Sequence, residues 1–313
     1  MKNTKQPRIA VLTVNPGIDR TMYFDAPLSR GAVNRATRTV VNQGCKGANA
    51  AIVMARLGAD VTYFTFTGGA FGGLYESFFE KEALRVVGIP TEAGVRLNVK
   101  LSDGTDLTEC NQRGGPVSEA ECAQMLAALR DAEFDCLYLA GSMPQGMPID
   151  FYADCVRLAR ERGAYAVVDC DGAVLKRTLS ASPDLIKPNR PELQELIQDG
   201  ASIAEKVAIF KKNYPETTLL LSLGGEGAVL ADGKNPIHAS ALSVRVRGTV
   251  AAGDTFLSAF TVATLRGESR ADALKSATAA AAAKVALEGT ALPSYKQMQE
   301  RRNEVTVTEF QDK

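Results

Sequence analysis

The sequence predicts an α/β protein with a mainly parallel sheet, helices on both faces of that sheet, and a small β-sheet lid that projects from it. After Pro116, short apolar strand patterns alternate with helical patterns over short links, which is typical of a parallel sheet covered by helices. Before Pro116, the stretches at about 18–42 and 92–113 alternate apolar and polar residues. Such half-exposed strands do not fit inside a parallel sheet, so they predict the lid.

The length and charge of the chain limit its organisation and its partners. At roughly 150 residues per domain, 313 residues are one large domain, or one domain with an appendage. We expect a single domain over 1–313 with the two lid segments inserted in it. The 36 basic and 36 acidic residues give a formal net charge of +0, which argues against a nucleic-acid partner. No apolar run is long enough to predict a membrane span.

Histidine and cysteine usage excludes several kinds of site. The single histidine, His238, makes His-based zinc sites and Ser-His-Asp hydrolysis poor hypotheses. No two of the six cysteines have the spacing of a CxxC motif, which leaves zinc ribbons and thioredoxin-type chemistry unsupported. Scattered cysteines in a long chain are typical of a reduced protein, so we expect a cytoplasmic location.

The elements before Pro116 follow from local patterns, in chain order. The apolar, β-branched segment 8–14 predicts a buried strand, which Asn15-Pro16-Gly17 ends. The other predictions are short alternating strands over 21–41, a helix over 48–57, a strand over 61–66, a helix over 74–87, a strand over 95–101 and its return strand over 105–111. In the strand 95–101, strict alternation predicts one buried apolar face and one face carrying Arg96, Asn98 and Lys100.

The elements after Pro116 alternate between the two types. The predicted helices cover 120–129, 150–162, 191–197, a segment from Gly253 onward, and 271–287. The predicted strands cover 136–139, 166–168, 185–186 and 219–223.

The segment 248–256 is the strongest candidate for chemistry. Small residues lead straight into an apolar helix, so the amides of Ala252, Gly253 and Asp254 would form an anion site at its N-terminus. Asp254 beside that site could accept a proton from an attacking hydroxyl while the amides stabilise a phosphoryl group. A plain capping turn is the alternative.

A second segment, 42–51, places glycines around a lysine just before a helix. Gly44 and Gly47 would let a ligand approach the backbone closely, and Asn49 could hydrogen-bond sugar hydroxyls from the first helical turn. The alternative is a tight strand-to-helix turn.

Three further segments lie at the ends of predicted strands, where ligands bind in open α/β sheets. Asp19 could bind sugar hydroxyls or merely cap a turn. Asn189 and Glu192 could lie near a phosphate-bound Mg²⁺, mostly through water, or could cap a helix that has Pro191 near its start. The segment 222–228 resembles a hairpin turn and could form the floor under a nucleotide.

The joint order of these segments is more specific than any one of them. The set 15–19, 44–49, 141–146, 187–192, 222–227 and 252–254 resembles the ribokinase-like carbohydrate kinases of the PfkB family over nearly the whole chain. The stretches TVNPGIDRT, VNRATRTVVNQGCKGANAA and AGSMPQGMPIDFY look most like the branch of 1-phosphofructokinases and tagatose-6-phosphate kinases.

The resemblance implies phosphorylation of a sugar hydroxyl with ATP and Mg²⁺, under a lid that can form a homodimer. The implied acceptor is a phosphorylated ketohexose, with fructose-1-phosphate, giving fructose-1,6-bisphosphate, as the first choice. Tagatose-6-phosphate, fructose-6-phosphate, a neutral sugar and a nucleoside stay open as other acceptors. A non-catalytic sugar-phosphate sensor on the same fold is a further alternative.

The resemblance also assigns roles residue by residue. Asp254 matches the catalytic base, and Ala252 and Gly253 match the anion hole. The sugar-phosphate positions match Asp19, Gly44, Lys46, Asn49, Ser142 and the lid arginine, Arg96. The nucleotide positions match Lys187, Ser222, Gly224 and Gly227, and Mg²⁺ would be held through water by Asn189 and Glu192.

Two residues depart from the pattern of the family, because Cys45 and Ala251 stand where its members usually have glycine. Cys45 would narrow the choice of acceptor or shift the backbone. If the glycine at the second position has a positive φ, Ala251 would carry strain of about 1 kcal/mol or more.

Overall fold

The structure, a computed structural model, describes residues 6–311, so the first five and last two residues of the predicted domain lie outside the described residues. Its strands, in chain order, are β1 Arg8–Thr13, β2 Gly17–Tyr23, β3 Arg38–Gly44, β4 Asp60–Thr67, β5 Leu84–Pro90, β6 Arg96–Ser102, β7 Leu107–Asn111, β8 Cys136–Ala140, β9 Tyr165–Asp169, β10 Leu185–Ile186, β11 Thr218–Ser222, β12 Ala228–Ala231, β13 Ile237–Ala239 and β14 Val307–Glu309.

Its α-helices, again in chain order, are α1 Lys46–Arg56, α2 Gly72–Ser77, α3 Glu119–Asp131, α4 Phe151–Glu161, α5 Gly172–Leu179, α6 Arg190–Leu196, α7 Ile203–Asn213, α8 Ala252–Leu265, α9 Arg270–Val285 and α10 Tyr295–Glu300. Between residues 6 and 311, none of these helices combines the length and the apolar character that crossing a membrane requires.

Ten strands form the main sheet, in the order β14-β13-β12-β11-β10-β9-β8-β1-β4-β5. The strands from β11 through β10, β9, β8, β1 and β4 to β5 pair in parallel, whereas β12, β13 and β14 add antiparallel pairs at one edge. Helices cover both faces, because alternate residues of β1 enter two different hydrophobic clusters. Ile9 and Val11 pack in the cluster that contains α1 and α8, while Ala10 and Leu12 pack in the cluster that contains α3 and α4. The predicted architecture, a mainly parallel sheet with helices on both faces, is confirmed.

The lid is a separate four-stranded sheet in the order β3-β2-β6-β7. The alternating segments therefore form the predicted projecting sheet, but the expected burial of β6 is wrong. Asn98 and Lys100 are buried, with 6% and 5% of their surface exposed, whereas Leu97, Val99 and Leu101 are only half-buried. The polar face is the buried one because it packs inward over polar groups that pair with it, and the apolar face is the outer one.

The predicted helix over 74–87 is wrong in its second half. Helix α2 ends at Ser77, and the chain then forms β5, which pairs in parallel with β4. The β-branched Val86 and Val87 favour a strand, and an open edge of the sheet was available to pair with them. The sequence patterns also placed the limits of α2 wrongly. They missed the helices α5, α7 and α10 and the strands β12, β13 and β14.

Candidate active site

Asp254 lies in the first turn of α8, and its carboxylate is almost completely buried. Asn49 Nδ2 donates a hydrogen bond to Asp254 Oδ2 at 2.8 Å, which joins the starts of α1 and α8. The first intrahelical bond of α8 runs from the Thr255 amide to the Ala251 carbonyl at 2.9 Å. The amides of Gly253 and Asp254 precede it and are therefore open to an anion. The Ala252 amide, in contrast, donates to the Thr249 carbonyl at 3.1 Å, so only part of the predicted anion hole is open.

The surroundings of Asp254 raise the pKa of its carboxyl group toward neutral pH. Burial raises the pKa of Asp254 to about 6, and the negative charge of Asp169 acts in the same direction. The hydrogen bond from Asn49 and the ammonium groups of Lys46 and Lys187 act against this rise. A carboxylate with a pKa near the working pH is well suited to act as a general base.

Two lysines meet at one buried carboxylate beside the start of α8. Lys46 Nζ lies 3.1 Å and Lys187 Nζ lies 3.7 Å from Asp169 Oδ1. Burial alone would raise the pKa of Asp169, but Lys187 and Lys46 outweigh it and lower the pKa. The same Asp169 carboxylate raises the pKa of Lys46. A methyl group on Gly253 would lie 3.4 Å from Lys187 Nζ, so the lysine pair and the helix N-terminus form one anion-binding surface.

This cluster gives the contacts of Lys46 and adds Asp169 to the candidate site. Lys46 was predicted among the sugar-binding positions, and its ammonium group lies with Lys187 on Asp169. Asp169 was not predicted from the sequence. It ends β9, and the carboxyl ends of parallel strands are where ligands bind in such sheets, so the sequence held a signal for it.

Asn189 and Glu192 form a capping box at the start of α6. The Glu192 amide donates to Asn189 Oδ1 at 2.9 Å, and the Asn189 amide donates to Glu192 Oε2 at 2.8 Å. The negative charge of Glu192 also contributes to raising the pKa of Lys46, so its carboxylate lies within electrostatic range of that lysine. Within residues 6–311, no three His, Cys, Asp or Glu residues are grouped to enclose a metal ion. A Mg²⁺ that keeps most of its waters and binds phosphate oxygens fits this sparse oxygen donor set.

Ser222 ends β11, and Gly224 and Gly227 lie in the turn that joins it to the antiparallel β12, as the hairpin interpretation predicts. The Ser222 amide donates to the Pro188 carbonyl at 3.0 Å, which brings this turn beside the segment that carries Lys187 and Asn189. Gly224 has a φ of 61° and faces open space. Gly227 has a φ of 96°, and a methyl group there would lie 1.9 Å from the Ala239 carbonyl oxygen. Gly227 is thus required by the backbone, whereas Gly224 leaves room for a ligand.

The inner face of the lid carries a buried polar cluster around Asp19. Lys100 Nζ lies 2.7 Å from Asp19 Oδ2, and Asn98 Nδ2 donates to Asp19 Oδ1 at 2.9 Å. A methyl group on Gly44 would lie 2.1 Å from Asp19 Oδ1, so the glycine leaves space for this carboxylate. The alternation along β6 predicts that Asn98 and Lys100 share its polar face, but it indicates no role for them. The ladder pairs Asp19 with Asn98, and that register brings them together.

A cavity of about 450 Å³ lies between the lid and the main sheet, and its lining includes Arg96, Arg113 and Ser142. Arg96 Nη1 donates to the Gln112 carbonyl at 2.7 Å, while its buried Nε has no hydrogen-bond partner among residues 6–311. Asn15 Nδ2 donates to Ser142 Oγ at 3.1 Å and fixes that hydroxyl. Two arginines and a serine in the lining of one cavity are suited to binding an anionic group.

Cys45 and Ala251 both have a positive φ. Ala251 is left-handed, with a φ of 64°, so the condition for strain at this position is met. Cys45 has a φ of 133°, and its Sγ lies 3.3 Å from the Tyr75 hydroxyl and 3.7 Å from the Tyr63 hydroxyl. The thiol therefore points to two buried tyrosines.

A buried carboxylate beside open amides and two lysines is an arrangement suited to phosphoryl transfer, the reaction of a kinase. The model of the pfkB family of carbohydrate kinases matches residues 13–297. The chain therefore belongs to the pfkB family, and it is a sugar kinase.

Individual relatives cover nearly the whole chain. A 1-phosphofructokinase from Haloferax volcanii is 33% identical over 307 residues, which are 96% of this chain and 98% of the relative. A tagatose-6-phosphate kinase from Staphylococcus epidermidis is 28% identical and covers 87% of this chain and 90% of its own length. The crystal structure of phosphofructokinase-2 from Escherichia coli in complex with substrates and products superposes with a TM-score of 0.89. It is 25% identical and covers 95% of this chain and 99% of its own.

Proposed function

We propose that this sugar kinase transfers the γ-phosphoryl group of ATP to a primary hydroxyl of a phosphorylated ketohexose, and that fructose-1-phosphate is its acceptor. The observation that carries the proposal is the cavity lined by Arg96, Arg113 and Ser142, which offers positive charge to the phosphate of an acceptor. A neutral sugar has no group that needs this charge. The similarity to the 1-phosphofructokinase of Haloferax volcanii supports the choice of fructose-1-phosphate.

In the proposed mechanism, the acceptor lies under the lid with its phosphate near Arg96 and its hydroxyls near Asp19 and Asn49. Its free primary hydroxyl faces Asp254, which accepts the proton as the oxygen attacks the γ-phosphorus in line. The amides of Gly253 and Asp254 stabilise the transferring phosphoryl group. Most of the rate enhancement comes from positioning and from charge stabilisation.

For ATP, we propose that Lys46 and Lys187 bind phosphate oxygens beside α8, and that the turn with Ser222, Gly224 and Gly227 contacts the nucleotide. We propose that the base of ATP enters a cavity of about 460 Å³, which is lined by the loop 243–247 and by alanines of α9. Asn189 and Glu192 would hold Mg²⁺ through water. The ion would supply charge neutralisation on the phosphates.

We further propose that residues 1–313 act as one kinase domain in the cytoplasm and form a homodimer through the lid. The half-buried Leu97, Val99 and Leu101, together with the exposed Val41, give the outer lid face an apolar character that supports the dimer. Sedimentation of the purified protein tests this part of the proposal, since a monomer at micromolar concentration would contradict it.

The test of the proposed activity is ADP production by the purified protein with ATP and Mg²⁺. The acceptors are fructose-1-phosphate, fructose-6-phosphate, tagatose-6-phosphate, fructose and ribose, and Asp254→Asn is the control. We expect strong turnover with fructose-1-phosphate that the control lacks. Higher turnover with fructose or ribose than with any phosphorylated acceptor would refute the proposal.

Tagatose-6-phosphate is the second candidate acceptor, because a similar relative from Staphylococcus epidermidis is a tagatose-6-phosphate kinase. The same panel separates the two acceptors by kcat/KM. A sugar-phosphate sensor would instead bind an acceptor without producing ADP.

A further inference from the structure

Lys284, near the end of α9, is a lysine whose side chain has no exposed surface. Its Nζ donates a hydrogen bond to the Gly289 carbonyl at 3.0 Å, in the loop that follows the helix. Transfer of an ammonium group from water to a protein interior is costly unless polar groups receive it. The hydrogen bond of the Lys284 ammonium group therefore matters to the local structure. The proposed mechanism assigns no role to this group.

The loop 287–290, which the ammonium group holds, lies between the lid and the segment that enters α8. On the lid side, Asn42 Nδ2 donates to Thr290 Oγ1 at 2.7 Å, and a methyl group on Gly289 would lie 3.0 Å from the Tyr23 hydroxyl. On the other side, a methyl group on Gly248 would lie 3.0 Å from the Gly289 nitrogen. The loop is thus in contact with both lid strands β2 and β3 and with the backbone that leads to the anion site.

The charges around Lys284 belong to the same region. Burial lowers the pKa of Lys284 to about 8, the carboxylate of Asp254 opposes this change, and the nearby ammonium of Lys100 adds to it. The group remains largely protonated at neutral pH, so a fixed positive charge lies within electrostatic range of the catalytic carboxylate and of the lid.

We propose that Lys284 is a positioning residue whose ammonium group fixes the loop 287–290. Through this loop, it keeps the anion site of α8 in its position relative to the lid. The inference rests on the proposed function, since kcat is measured on sugar-phosphate phosphorylation. Absence of turnover in the wild type would refute that function and not this inference.

The first test compares Lys284→Met, which keeps an unbranched side chain only one atom shorter and removes the charge, with Lys275→Met. Lys275 lies about two and a half turns earlier on the same helix, so the control removes the same charge from the same element. We expect Lys284→Met to lower kcat about tenfold or more, with KM for both substrates within about threefold of wild type. We expect the control to keep wild-type kcat. A kcat for Lys284→Met within about twofold of wild type would overturn the inference.

The second test asks whether the charge itself is responsible. Lys284→Ala is assayed with ammonium, methylammonium, potassium or tetramethylammonium chloride at an ionic strength of about 0.15 M. We expect the small cations to restore part of the lost kcat and tetramethylammonium to restore none. A loss that no cation restores would show that the side chain acts by packing alone. If the alanine variant does not fold, Lys284→Arg replaces it, and a kcat no better than that of Lys284→Met overturns the inference.

A third measurement needs no turnover. Hydrogen exchange of the amides in 249–254 and 287–290 reports whether the loop and the anion site open together. We expect both segments to exchange faster in Lys284→Met and neither to change in Lys275→Met. Faster exchange in 287–290 alone would contradict a link between the loop and the anion site.

Discussion

The hydrogen bond from Asn49 to Asp254 sets the pH at which the proposed base loses its proton, and Asn49→Ala removes it. The two side chains are 5% and 7% exposed, and their atoms lie 2.8 Å apart. A hydrogen bond to a charged group contributes about 1.5–3 kcal/mol, and a change of one in pKa corresponds to about 1.36 kcal/mol. Because this bond stabilises the ionised carboxylate, its loss raises the pKa of Asp254 from about 6 to about 7–8.

The assay is the pH dependence of kcat/KM for the sugar phosphate from pH 5 to about pH 9, where the acid limb reports the pKa of the base. The ionised form is the active one, so the acid limb of Asn49→Ala moves to higher pH. For a pKa of about 7.5, ionisation at pH 6.5 falls about eightfold relative to wild type, and the difference vanishes near pH 9.

The matched control is Asn98→Ala, because Asn98 is an equally buried amide that donates to Asp19 instead of Asp254. We expect it to lower activity at every pH without moving the acid limb. An acid limb of Asn49→Ala at the wild-type pH would refute the reasoning, because the hydrogen bond would then have no part in setting the acidity of the base.

Three further predictions concern stability and acceptor choice. Asp254→Asn removes a buried carboxylate whose pKa is raised from 3.8 to about 6, so it stabilises the fold by about 3 kcal/mol above pH 6. This gain disappears below about pH 4, where the carboxyl group is protonated in both the folded and the unfolded state. Urea unfolding of both proteins at pH 8 and pH 4 measures the gain, and an equal gain at the two pH values would contradict the prediction. Ala251→Gly relieves the strain of the left-handed backbone but adds conformational entropy to the unfolded state. We expect a net stabilisation of about 0.5–1 kcal/mol, measured by thermal unfolding. A lower melting temperature would show that Ala251 carries no such strain. Arg96→Ala raises KM for fructose-1-phosphate by about 10–100-fold, the loss of one charged contact, and leaves KM for free fructose unchanged; equal losses for both acceptors would argue against phosphate binding by Arg96.

Local signals were sufficient for most of the fold. The strand β1 was evident from its β-branched run and its Asn15-Pro16-Gly17 stop, and α8 from small residues that lead into an apolar segment. The segment that forms β5 was interpreted as a helix because its apolar residues also fit a helical period. Pairing with β4, a contact remote from any local pattern, decided between the two.

The sequence by itself determined most of the elements of the main sheet, the lid and the family, because those depend on short-range patterns and on motifs in a fixed order. The tertiary structure alone decided which charges meet. Lys46 and Lys187 are distant in the sequence, and both bind Asp169 because β9 and β10 end at the same edge of the sheet as the start of α1. It also decided that the polar face of β6 is buried, since that face packs over Asp19. Burial and charge together set the pKa of Asp254, and both are properties of neighbours that the fold brings from elsewhere in the chain.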